Sequence, residues 1–92
     1  MRESSSRNAI GRQLQKQRMK SNLTQQGLAA RCQLLGFEIG RETISQIERR
    51  VRGVSDLEMI LLARALRIDF ADLIPPELPK WHKDLRPPNA VE

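Results

Sequence analysis

Aromatic side chains are nearly missing from this 92-residue chain, which has no Tyr, one Trp and two Phe. Ring stacking cannot build its core, so aliphatic packing between helices must hold it together, and the supply of Ala, Leu, Ile, Gln and Arg suits that. Cysteine is limited to Cys32, which permits no intramolecular disulfide and no thiolate metal cluster and fits a reducing, cytoplasmic setting. On its apolar face Cys32 reads as a small core residue rather than a redox sensor. Histidine is as scarce: His82 stands alone near the end and is given no ligand role. With one His and one Cys there is no convincing nucleophile with its base and no carboxylate pair in a pocket, so no enzyme, metal site or cofactor is expected. No apolar run reaches membrane-spanning length, and Met1 to Asn8 is too polar for an export signal.

Positive charge is plentiful and unevenly placed. Residues 1 to 54 carry 11 Lys or Arg against 4 Asp or Glu, whereas residues 55 to 92 carry 5 against 7. A basic half of this kind favours a polyanionic partner, because each cation that neutralises a phosphate releases condensed counterions. A merely solvated basic face accounts for the charge equally well, so the motifs have to decide.

The length allows one small core. Residues 1–7, with Ser4, Ser5 and Ser6, are too polar to pack and read as a flexible arm. The domain proper is expected over residues 8–74. A first helix starts near Asn8, with Ile10 and Leu14 on its inner face and Arg12, Lys16 and Lys20 outside. Ser21 and Asn22 break it. Thr24 is placed as the N-cap of a second helix with Leu28, Ala29 and Cys32 inward, ended by Gly36. After a short apolar connection, Phe37 to Gly40, a third helix runs over 41–50 with Ile44 and Ile47 inward and Arg41, Glu42, Gln46, Arg49 and Arg50 outward or flanking. Ser55 with Glu58 forms a capping box opening a fourth helix, Asp56 to Leu66, expected to bury Leu57, Ile60, Leu61 and Leu66. Asp69 caps a last helical turn, Phe70 to Ile74, and Pro75-Pro76 stops it. Residues 75–92 read as a proline-rich tail anchored by Trp81.

Two short helices joined by a glycine-flanked connection make a helix-turn-helix layout. Three segments carry a closer likeness: Leu23-Thr24-Gln25 leading into Leu28-Ala29; Thr43-Ile44-Ser45-Gln46-Ile47-Glu48; and Asp56-Leu57-Glu58 leading into Leu62-Ala63-Arg64-Ala65-Leu66. Through them the chain resembles the lambda-repressor-like family, the Cro- and Xre-type helix-turn-helix regulators. The resemblance implies an all-α, compact five-helix domain whose third helix enters the major groove of double-stranded DNA. Gln33 to Gly40 carries several residues more than the common family turn, which bears on how the third helix docks.

By that resemblance Arg41, Glu42 and Gln46 match positions that face base edges, where Arg suits guanine and Gln suits adenine. Gln25 matches a residue on the DNA backbone, and Thr43, Arg49, Arg50 and Arg52 are further phosphate candidates. Arg18 and Glu48 match an ion pair tying the first helix to the third. For each of these the plain alternative is an exposed residue on a solvated helix. The implied function is transcriptional regulation, most simply repression, by a homodimer whose surface includes Phe70, Ile74 and Trp81. The rival is a protein-interaction module, or an antitoxin-like protein binding DNA and a protein partner through its tail, for which Phe37, Phe70, Ile74 and Trp81 are the important surface.

Overall fold

The computed structural model describes residues 8–77, so the expected arm and all of the tail beyond Glu77, including Trp81, lie outside the described residues. Four α-helices follow one another: α1 (Gly11–Lys20), α2 (Gln25–Leu34), α3 (Arg41–Glu48) and α4 (Asp56–Leu66), then a 3-10 turn, Phe70–Leu73. The expected fifth helix is thus a single 3-10 turn, too short to be more before Pro75-Pro76 removes the donors.

Helix starts are local. Thr24 Oγ1 accepts the Gly27 N–H at 2.9 Å and opens α2. Ser55 Oγ accepts the Glu58 N–H at 3.1 Å while the Glu58 carboxylate accepts the Ser55 N–H at 3.0 Å, the reciprocal box expected at α4. Helix ends share one device. Asn22, Gly36, Arg50 and Arg67 adopt positive φ of 58, 84, 60 and 60°. After each, the next N–H reaches back five residues: Leu23 to Arg18, Phe37 to Cys32, Val51 to Gln46, Ile68 to Ala63. This satisfies carbonyls that the helix leaves open. Gly36 adopts it freely, whereas at Arg50 and Arg67 a side chain sits in the left-handed region at a cost of about 1–2 kcal/mol each.

α2 packs on both α3 and α4, while α1 packs on α3 and the final turn. Leu14, Leu28, Ile44, Ile47, Leu62 and Leu73 are fully buried where these elements meet, and each contributes about 1.5–3 kcal/mol relative to an exposed position. Cys32 is buried with them, and burial pushes its thiol up to about 11, so at neutral pH it stays an unreactive thiol. Phe37 is half-buried and Ile39 buried, so the connection before α3 is pinned inward.

Several boundaries and faces differ from expectation. α1 begins at Gly11, because Asn8 is buried and its side chain turns back to accept the Ile10 N–H at 3.1 Å. α3 ends at Glu48, since Arg50 has already turned left-handed. In α4, Leu57 and Ile60 are exposed, by 61% and 41%, and Leu61 is half-buried; Leu62, Ala63, Ala65 and Leu66 form the inner face. That helix is apolar nearly all round, so its periodicity does not choose a face.

Gly11 lies against the end of α3. A Cβ there would fall on the Ile47 carbonyl oxygen and within 3.1 Å of that of Glu48, whereas one at Gly40 would meet nothing within 4 Å. Gly11→Ala should therefore destabilise the domain by about 2 kcal/mol through backbone overpacking, and Gly40→Ala by under about 1 kcal/mol as a weaker N-cap. Urea unfolding of the two variants measures both; equal losses would contradict the close approach.

Candidate nucleic-acid interface

α3 has eight residues and an apolar stripe, so packing must orient it. Ile44 and Ile47 are fully buried. At 100° per residue Glu42, Gln46 and Arg49 fall on the side opposite these two. Glu42 and Arg49 are exposed and Gln46 is half-buried; Arg41, on the flank of the first turn, is exposed because nothing covers the helix start. Arg41 Nη2 stands 3.9 Å from Glu42 Oε1 with both side chains more than half exposed, a loose pair that leaves both groups available. Gly40 provides no side-chain cap. Thr43 is half-buried on the flank, and Ser45 Oγ accepts from Arg49 Nε at 3.2 Å, leaning that guanidinium along the helix.

The inward edge of α3 is polar at one residue, Glu48, which is 5% exposed. A carboxylate cannot remain charged there without partners, and two helices supply them. From α1, Arg18 donates through Nε to Oε2 at 2.6 Å and through Nη2 to Oε1 at 3.0 Å. From the first residue of α2, Gln25 Nε2 donates to Oε1 at 3.0 Å. Arg18 Nη1 also donates to the Leu23 carbonyl at 2.7 Å. Arg18, Gln25 and Glu48 are therefore one cluster, and Gln25 sits beside α3 instead of standing free.

The far end of α3 is held by residues to which the sequence reading gave no such role. Asn8 Nδ2 donates to the carbonyls of Ile47 at 2.8 Å and Arg52 at 2.9 Å, and Arg50 Nε donates to the Asn8 carbonyl at 2.9 Å. An asparagine two residues before Ile10, just ahead of α1, is the one local hint, as an Asx-type turn. Arg52 donates to both oxygens of Glu58, at 3.3 and 3.0 Å, and to the Gly53 carbonyl. The structure thus brings Arg41, Glu42, Gln46 and Arg49 to one accessible side, Gln25 and Thr43 to its edge, and turns Arg50 and Arg52 toward the domain itself. Phe70, which opens the final 3-10 turn, and Ile74, which follows it, are 43% and 46% exposed.

Among the described residues no three His, Cys, Asp or Glu are grouped to hold a metal ion, and no helix is long and apolar enough to cross a membrane.

Residues 14–73 match the model of a family described as helix-turn-helix. Among solved structures the chain is similar to the restriction-modification controller protein C.AhdI from Aeromonas hydrophila, with 29% identity and a TM-score of 0.63 over 71% of this chain and 87% of that one. It also shares its fold with a hypothetical transcription factor, NHTF, from Neisseria, at 22% identity and a TM-score of 0.65 over 86% of this chain and 83% of that one. No curated protein matches the sequence.

Removing one member of the buried pair should be worse than removing both. Arg18→Met leaves the Glu48 carboxylate with Gln25 alone and should cost about 3 kcal/mol, whereas Arg18→Met combined with Glu48→Leu should cost less than either single change. A double-mutant cycle by denaturant unfolding reads the difference, and strict additivity would contradict the coupling.

Glu58 gives a pH-dependent counterpart. Its hydrogen bonds from Arg52 hold the carboxyl below its usual 4.5, with burial opposing and Ser55 assisting. The folded pKa being the lower one, its stabilisation is complete above the unfolded value and is lost as pH falls through the folded value. Arg52→Gln should raise the Glu58 midpoint in an NMR titration and flatten the acid limb of stability; an unmoved midpoint would show that the pair does not form in solution.

Proposed function

This chain belongs to the helix-turn-helix family, and from that premise we propose that it is a sequence-specific double-stranded DNA-binding regulator of transcription, acting as a repressor, with α3 in the major groove. The observation that carries the reading is the division of α3: Ile44, Ile47 and Glu48 are buried while Arg41, Glu42 and Arg49 are exposed and Gln46 lies among them. A helix mounted by its inner edge presents its outer side rigidly, and rigid presentation is what base readout requires. The similarity to a controller protein at 29% identity supports a regulatory role.

In this reading Arg41 pairs with guanine O6 and N7 and Gln46 with adenine N6 and N7. Glu42 accepts from cytosine or orients Arg41. Gln25, Thr43 and Arg49 contact phosphates, which fix register without reading sequence. Arg50 and Arg52 support the groove-facing helix from behind, through Asn8 and Glu58, and contact phosphate only as a second role. The protein works as a homodimer on a palindromic operator, its two α3 helices entering successive major grooves about 34 Å apart. Phe70 and Ile74, exposed on the acidic second half, form part of the surface between protomers, because a dimer must leave the basic side free.

Replacing Arg41 or Gln46 singly with Ala should lower the preference for a selected operator over scrambled duplex by about 1–3 kcal/mol each. Arg49→Ala should instead weaken both duplexes alike and reduce the salt slope by about one unit. Titrations at several salt concentrations separate the two behaviours; unchanged operator preference in both Arg41 and Gln46 variants would remove α3 from the interface.

A further inference from the structure

We infer that Asn8 is a positioning residue for base readout by α3, acting through Gln46 without touching DNA itself. The inference rests on the groove-facing role of α3 proposed above.

Asn8 is fully buried just ahead of α1. Its amide oxygen accepts the Ile10 N–H at 3.1 Å, and Nδ2 donates to the Ile47 carbonyl at 2.8 Å and the Arg52 carbonyl at 2.9 Å. Both donors of the amide are thus in use. Its own backbone carbonyl accepts from Arg50 Nε at 2.9 Å. Ile47 lies in the last turn of α3, and Arg52 lies beyond the left-handed turn at Arg50. One side chain therefore grips the chain on both sides of the exit from α3. That exit can shift only by leaving buried donors without acceptors, which is costly.

The Ile47 carbonyl is also the atom on which a Cβ at Gly11 would fall. Glycine lets α1 come close to that oxygen, and Asn8 keeps it from drifting away. The clamp shares no residue with the cluster of Arg18, Gln25 and Glu48, and it holds backbone where that cluster holds a side chain.

Gln46 is the candidate base reader nearest the clamp. It precedes Ile47, and its carbonyl accepts the Val51 N–H at 3.1 Å inside the turn that Asn8 closes. Its half-buried side chain is shorter than an arginine's and has less slack with which to re-aim. A backbone shift of about 1 Å is passed on to its amide, whereas paired bonds to adenine need placement within about 0.5 Å. Arg41 is about 7.5 Å away along the helix and has a long, exposed side chain that can follow its base. Arg49 meets phosphate as a charge, and that attraction weakens only gradually with distance. Loss of the clamp falls on the bases that Gln46 reads and spares attraction to the backbone.

Titrations with the selected operator and with scrambled duplex give a ratio of affinities. Partial unfolding lowers both affinities by one factor and cancels in the ratio, so a merely structural role leaves it unmoved. Asn8→Ala should lower the ratio about 10-fold, within the worth of one paired base contact. Asn8→Ser keeps one donor and should recover part of that loss; it carries the test with a smaller drop if Asn8→Ala does not fold. Leu62→Val, buried on α4, which packs on α2 and the final turn, should lower stability and leave the ratio unchanged. Combined with Gln46→Ala, the Asn8 substitution should add no further loss, whereas with Arg41→Ala the losses should multiply. A ratio that Gln46→Ala lowers and neither Asn8 variant moves would overturn the proposal and leave the role of α3 standing. Losses that multiply with Gln46→Ala as they do with Arg41→Ala would overturn it too. Absence of any operator preference in the unsubstituted chain would end the groove-facing reading, and this inference with it.

Discussion

One buried carboxylate organises this domain. Glu48 lies on the inner edge of α3 and takes hydrogen bonds from Arg18 on α1 and Gln25 on α2. Hydrophobic burial is non-directional and would allow α3 to slide or roll against its neighbours. A desolvated charge with three short hydrogen bonds permits neither, because any displacement leaves it uncompensated. At its other end α3 meets Gly11 backbone to backbone, and Asn8 closes on the Ile47 carbonyl. An eight-residue helix is too short to be stable alone. Fixed at both ends, it is part of the core on one side and an accessible rigid rod on the other.

The six residues between α2 and α3, Leu35 to Gly40, would loosen that arrangement if they were free. They are not. Gly36 turns left-handed so that Phe37 N–H caps α2 through the Cys32 carbonyl, Ile39 is buried, and Gln33 Nε2 donates to the Ile39 carbonyl at 2.9 Å. The extra length forms a braced loop, and its closure costs little beyond that of a shorter turn, since loop entropy grows only logarithmically with length.

What was legible in the sequence was local. Thr24, the Ser55 and Glu58 box and Gly36 act within one turn of themselves, and the Ile44 and Ile47 spacing states α3's inner face directly. The Arg18 and Glu48 partnership was legible only through family resemblance, as nothing in either segment points to the other. Asn8, Gly11 and Arg50 were missed in their actual roles because each is defined by what packs on it from some forty residues away. In α4 the error had another source: with Leu57, Ile60, Leu61, Leu62 and Leu66 on all sides, burial is decided by the neighbouring helices, and Leu57 and Ile60 lost.

Charge shows the same distinction between a chain and a surface. The basic half suggests a broad cationic face, yet much of that charge is committed internally. Arg18 is paired with Glu48, Arg52 with Glu58, Arg31 Nη1 donates to the Ala65 carbonyl at the end of α4, and Arg50 donates to Asn8. A guanidinium suits this because its planar fork satisfies several acceptors at once, which an ammonium cannot do. Arg41 and Arg49 therefore remain as the α3 cations directed to solvent, with Arg12, Lys16 and Lys20 on α1. A helix with so few outward cations gains little affinity for a polyanion from charge alone. The homodimer proposed above repeats the same contacts across a symmetric pair of half-sites, which raises avidity without any new contact. The internal arginines hold α3 in place at the expense of the domain's electrostatic reach.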